Sequence, residues 1–180
     1  MRAVSIDTTN WDTQELDINL QANTIYTFFS SILVDEINTL QQHTIYTDAN
    51  ALSLSKPAFF LGEQLLIGDA LIIGRNELEE VDATIPEDEL KQIINRDVPQ
   101  FYQDVLNLLS QTDINIYRTF EVNAEGEKLF LNSEWVLYTF NIADERTQEY
   151  FIAELQKVID AKENVENFMQ KMAQLAINAA

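Results

Sequence analysis

Asp69 is the carboxylate whose setting departs most from that of an ordinary surface acid. It stands in Leu66-Ile-Gly-Asp-Ala-Leu-Ile-Ile-Gly74, between two apolar runs. A carboxylate held beside a core can receive a cation or exchange a proton, and more ordinarily it bonds its own turn. Glu121 and Glu134 lie near Tyr117, Trp135 and Tyr138. Together with Asp69 these residues outline an alternative cleft on the sheet, fitted to a small molecule or to carboxylate-dependent catalysis. Other chemistries lack their residues. With no cysteine and one histidine, His43, there is no thiol nucleophile and no His/Cys zinc set. His43 itself reads as a surface or helix-capping residue. The glycines at 62, 68 and 74 are too widely spaced for a dinucleotide fingerprint, and no glycine run ends in Gly-Lys-Ser/Thr. Glu77, Glu79, Glu80 and Asp82 lack the alternation of a calcium loop. No catalytic residue, metal or cofactor is assigned, and a non-enzymatic role is expected.

Charge is the unusual global property. Thirty acidic side chains against 11 basic ones give a formal net charge of −19, where a magnitude of about 2 to 8 suffices to keep a small domain soluble. Such a field repels nucleic acid and anionic membrane and attracts basic proteins. The acids concentrate at Glu77, Glu79, Glu80, Asp82, Glu87, Asp88 and Glu89. B-DNA carries one phosphate charge per roughly 1.7 Å of axis, so a carboxylate-dense surface can occupy a groove built for DNA. The expected function is therefore a non-enzymatic acidic interaction protein that engages a basic surface, for example on a nucleic-acid-handling or defence protein.

The elements that must position these residues read as α+β: a mixed or antiparallel sheet with about four helices, ending in a long amphipathic helix. The chain of 180 residues reads as one domain, with a possible division into halves 1–82 and 83–180 sharing one core. Residues 1–6 and 15–20 alternate as strands, with Leu16, Ile18 and Leu20 on one face. Turn-forming residues separate them. Ile25, Phe28, Phe29, Ile32, Leu33, Ile37 and Leu40 follow helical spacing and predict a helix from Thr24 to about Gln42. Thr44 to Thr47 is extended, and the glycine-punctuated run from Pro57 to Gly74 predicts short core strands. A helix capped by Thr84 and restarted at Pro99 follows. Ile114 to Val122 and Leu129 to Ile142 predict a hairpin closed by Asn123 to Lys128. From Ala143 to Ile177, Phe151, Leu155, Val158, Val165, Met169 and Met172 recur at 4-3 spacing as the seam of one continuous helix. That seam either covers the domain's own core or pairs two copies as a homodimer.

Ile45-Tyr-Thr-Asp48, Leu54-Ser-Lys-Pro57 and Leu66 to Gly74 resemble a family of small uncharacterised domains encoded by bacteriophages and plasmids. The likeness spans about residues 25–75, and this chain has Asp48-Ala49 where the family pattern often has Asp-Glu. The resemblance implies a mobile-element protein, a setting in which inhibitors of host defence are common. The opening residues lack the apolar run of a signal peptide, and no stretch approaches the roughly 20 apolar residues of a membrane span. A cytoplasmic location is expected.

Overall fold

The computed structural model describes the whole chain except Ala22, Gln41, Leu78, Asn115 and Ala180 and the side chains of Asn38 and Thr39. It is an α+β fold with antiparallel sheets, six helices among the described residues and an amphipathic helix at its end. The chain divides into two compact units, Met1–Val98 and Pro99–Ala180, where the sequence placed a division at 82/83. No helix among the described residues is long and apolar enough to cross a membrane.

In the N-terminal unit β1 (Arg2–Asp7), β2 (Asp12–Asp17), β3 (Val34–Leu40), β4 (His43–Asp48) and β7 (Ala70–Arg75) form a sheet in the order β2-β1-β7-β4-β3, with β8 (Glu80–Val81) on the end of β7. All neighbours are antiparallel. The central strand β7 reads as a continuous apolar run because both its faces are covered. One face gathers Ala3, Tyr46, Leu71 and Ile73 beneath Leu16, Ile18, Leu20, Ile25 and Phe29; Leu16, Ile18 and Leu20 share a side as expected, but the strand expected over 15–20 is β2 over 12–17, so Ile18 and Leu20 follow it. On the other face Val4, Ile6, Ile45 and Ile72 are buried. A second sheet, β6-β5-β9, is made of β5 (Ala58–Leu61), β6 (Gln64–Ile67) and β9 (Ile94–Asn95). It adds Phe59, Leu61, Leu65 and Leu66 to the buried set.

The helix expected over 24–42 is a single short one, α1 (Thr24–Phe29). Ser30 turns left-handed at φ 52°, and the N–H groups of Ser30 and Ser31 donate to the carbonyls of Thr27 and Tyr26. These are the two bonds of a Schellman stop. Beyond it Ile32 is 88% exposed, so the apparent stripe is not a core stripe. Val34 to Ile37 instead pair with Asp48 to Ile45. Gln41, inside the expected helix, lies outside the described residues.

The helix after the acidic run is α2 (Glu87–Ile93), which follows Pro86 without a side-chain cap. Thr84 serves elsewhere, with its N–H directed at His43.

The C-terminal unit contains α3 (Gln100–Leu109), a hairpin of β10 (Thr119–Ala124) and β11 (Glu127–Asn132), and α4 (Ser133–Asn141), α5 (Glu145–Asp160) and α6 (Val165–Ala179). The expected hairpin is present, but its first strand begins at Thr119 rather than Ile114, Asn115 of the expected strand lies outside the described residues, and its loop is shorter than the sequence suggested. Glu125 and Gly126, at φ 50° and 89°, form the two-residue turn that a right-twisted pair prefers. Its second strand ends at Asn132, whose side chain accepts the Trp135 N–H at 2.8 Å and starts a helix. Val136, Leu137 and Phe140 are buried at helical spacing.

The expected single C-terminal helix is also divided. Lys162 turns left-handed at φ 54°, the Lys162 and Glu163 N–H groups close on the Ile159 and Val158 carbonyls, and Asn164 caps α6. The two segments pack against each other within the unit. Phe151, Leu155, Met169 and Met172 are fully buried there, with Val158 and Val165 half-buried. The residues of the expected seam therefore contribute to the packing of their own unit. Phe151 anchors the core, with its ring 4.7 to 5.5 Å from those of Phe140, Phe168 and Phe101.

Candidate functional site

Three aspartates stand at one end of three adjacent strands. Asp7 closes β1, Asp48 closes β4, and Asp69 precedes β7, which runs antiparallel between them. Strands in a sheet are spaced about 4.8 Å apart, so the row spans on the order of 10 Å. It borders an open hollow of about 420 Å³, with Phe28 and Phe29 of α1, Leu54 and Lys56 among its walls.

The three carboxylates are held in different ways. Asp7 is consumed by its turn. One oxygen accepts the Thr9 and Asn10 N–H groups at 2.7 and 3.2 Å, and the other accepts the Asn10 side-chain amide at 2.7 Å. These bonds, the Asn10 amide first, hold its pKa below the usual carboxylate value. Asp69 Oδ1 accepts both the N–H and the hydroxyl of Thr8, each at 2.7 Å. Asp48 Oδ1 accepts the Ser31 hydroxyl at 2.8 Å and the Asn50 N–H at 2.9 Å. In both Asp48 and Asp69 the second oxygen has no hydrogen-bond partner among the described residues. Each side chain is thus oriented through one oxygen and leaves the other available.

Local sequence fixes this geometry. Gly68, at φ 75°, makes the sharp turn between β6 and β7 that presents Asp69. A Cβ there would lie 2.9 Å from Ala51 Cβ and 3.3 Å from Lys56 Cβ. The 49–56 loop is therefore pressed against the turn. That loop is wound by the bonds Ala51 N–H to Asp48 O, Leu54 N–H to Asn50 O and Lys56 N–H to Ala51 O, with Ser55 left-handed at φ 53°. Phe28 and Phe29 meet edge to face at 4.8 Å. Aromatic rings beside carboxylates make a wall that an organic cation can use on both its charged and its apolar side.

The acidic run 77–89 is arranged differently from a continuous charged face. Glu80 accepts the Tyr46 hydroxyl, Asp82 accepts the Arg2 N–H at 2.8 Å, and Glu87 pairs with Lys91 and accepts the Thr13 hydroxyl at 3.1 Å. Glu77, Glu79, Asp88 and Glu89 remain exposed. His43 is buried in β4, not superficial or capping. Its Nε2 accepts the Thr84 and Ile85 N–H groups at 3.0 and 3.3 Å, so the ring ties the run to the sheet.

Of the alternative cleft, Asp69 belongs to the N-terminal unit, and Glu121, Glu134, Tyr117, Trp135 and Tyr138 belong to the C-terminal one. Glu121 is exposed on β10 and pairs with Lys128 at 2.8 Å. Glu134, Trp135 and Tyr138 lie on α4 and not on a strand. Glu134 and Tyr138 both act electrostatically on the Tyr102 phenol, whose pKa burial pushes up to about 12.

Asp69 was legible in the sequence, whereas Asp7, Asp48, Lys56, Phe28 and Phe29 were not. Their only signals were a turn, a loop start and an apolar stripe. Among the described residues no three His, Cys, Asp or Glu side chains are grouped to hold a metal ion. No family model, curated protein or solved structure matches the chain.

Proposed function

We propose that this chain is a non-enzymatic binding protein whose N-terminal unit receives a cationic group with an apolar body in the hollow at the strand ends. The observation that carries the reading is the pairing of two carboxylates, Asp48 and Asp69, each anchored through one oxygen with the other available, beside the aromatic wall of α1. The surrounding charge supports it. This unit holds 17 of the 30 acids and 5 of the 11 bases, a field that draws cations toward any concave site it surrounds. The hollow's volume falls in the range of about 300 to 1,000 Å³ usual for ligand sites.

Thermal unfolding of the full chain with 2-phenylethylamine tests this. Binding to the folded state alone raises stability by about 2.7 kcal/mol when ligand is 100 times its dissociation constant. The expected result is a rising Tm that weakens in Asp48→Asn and Asp69→Asn, since asparagine keeps the anchoring acceptor and removes the charge. No amine-dependent shift in the wild-type chain would overturn the reading.

A second reading is favoured by the exposure of Glu77, Glu79, Asp88 and Glu89. In it these four acids contact a basic protein surface, as on a nucleic-acid-handling or defence protein of a host. It calls for association that falls steeply with salt and is lost when these four acids are neutralised.

A further inference from the structure

Lys56 has no counterpart among the basic side chains of its unit. Arg2 pairs with Glu15, Arg75 with Glu36 and Lys91 with Glu87, and the Arg96 guanidinium lies 4.5 Å above the Trp11 ring. Lys56 alone among these five makes neither an ion pair nor a ring contact with a described residue, although it borders the same hollow as three aspartates. Its position is set by the fold. Its backbone N–H is bound to the Ala51 carbonyl at 3.0 Å, and its stem lies along Gly68, one residue before Asp69.

Lys56 thus borders the hollow as an exposed base that pairs with none of the carboxylates bordering it. A simple amine would satisfy the aspartates and sit beside an uncompensated like charge. A molecule carrying both charges answers both the base and the carboxylates.

Resting on the cation-binding reading, we infer that the ligand is a zwitterion of the α-amino-acid class with an apolar side chain. Its ammonium lies toward the unbonded oxygens of Asp48 and Asp69, its carboxylate toward Lys56, and its side chain against Phe28, Phe29 and Leu54. The separation of one positive and two negative side chains around an aromatic wall supplies selectivity as well as attraction. An amine forfeits the Lys56 contact, and an acid meets the aspartates with like charge.

Calorimetric titration of the full chain with L-phenylalanine, 2-phenylethylamine and 3-phenylpropionate tests the assignment. A charge-assisted contact to Lys56 makes L-phenylalanine bind roughly tenfold or more tighter than the amine, with 3-phenylpropionate weakest. Lys56→Gln brings L-phenylalanine down to the amine's affinity without weakening the amine, and Lys56→Arg restores most of the difference. The exposed position of Lys56 makes both variants compatible with folding, which a circular-dichroism melt verifies. If the amine binds as tightly as L-phenylalanine in the wild-type chain, the zwitterion assignment is overturned and the cation site stands. If neither binds, the cation site itself falls.

Discussion

Replacing Gly68 by alanine tests how the hollow is built. At φ 75° an L side chain costs about 1 to 2 kcal/mol in the backbone alone. The added Cβ would also stand 2.9 Å from Ala51 Cβ and 3.3 Å from Lys56 Cβ, and both are first atoms of side chains fixed to the loop backbone. Forcing that loop away adds about 1 to 3 kcal/mol, for a total of about 2 to 5 kcal/mol. Gly62 provides the control, because it has φ 62° with nothing within 4 Å of its Cβ position. Gly62→Ala should therefore cost the backbone part only. Urea unfolding followed by Trp11 fluorescence, in a Trp135→Phe background so that the signal comes from the N-terminal unit, separates the two. With a slope of about 2 kcal/mol per molar urea, Gly68→Ala lowers the midpoint by roughly 1 to 2.5 M and Gly62→Ala by roughly 0.5 to 1 M. Equal shifts for the two variants would refute the packing of the 49–56 loop against the Gly68 turn.

Phe151→Ala removes the ring at the centre of the C-terminal unit's aromatic cluster and should cost about 3 to 5 kcal/mol, read from the Trp135 unfolding transition; a loss below 1 kcal/mol would contradict the cluster. Burial pushes the Tyr102 phenol up to about 12, and burial with the Glu80 hydrogen bond pushes Tyr46 higher. Raised values favour the neutral phenols in the folded state, so their contribution is complete below about pH 10 and is lost as pH rises through the folded values. Tyr46→Phe and Tyr102→Phe should thus remove absorbance amplitude at 295 nm only at the alkaline end, and amplitude lost near pH 10 would count against this. Asp7 titrates below its usual value because of its turn bonds. Its contribution is present above about pH 4 and disappears as pH falls through the lowered value, so Asp7→Asn should flatten the acid limb of a urea-midpoint profile between pH 5 and pH 2.

What could be read from the sequence was whatever local chemistry determines. The glycine-punctuated strands were legible because Gly68 answers a backbone requirement and Gly74 a steric one: a Cβ on Gly74 would lie 2.2 Å from the Asp82 carbonyl oxygen. The turn after β1 was legible because Asp7 makes it with its own side chain. Both helix ends that went unread use Schellman bonds with Ser30 and Lys162 in the left-handed region, where glycine is the usual signal. In 34–40 the i, i+3 spacing of Ile37 and Leu40 suits a helix, and pairing with β4, with a register shift between those two residues, overrides it. The Trp135 to Phe140 segment is rich in strand-forming types, yet the Asn132 cap and helical burial of Val136, Leu137 and Phe140 prevail. The site was least legible of all. Asp7, Asp48 and Asp69 become neighbours only through β1-β7-β4 pairing, which no window of sequence contains.

The most direct measurement is a carboxyl-carbon NMR titration of the full chain with 2-phenylethylamine, with the aspartate and glutamate side-chain resonances assigned by single substitutions. If the hollow is the cation site, the Asp48 and Asp69 resonances move together along one saturable curve, and those of Glu77, Glu79, Asp88 and Glu89 stay in place. Movement concentrated in those four, or a weak non-saturating drift of all acids alike, would contradict it.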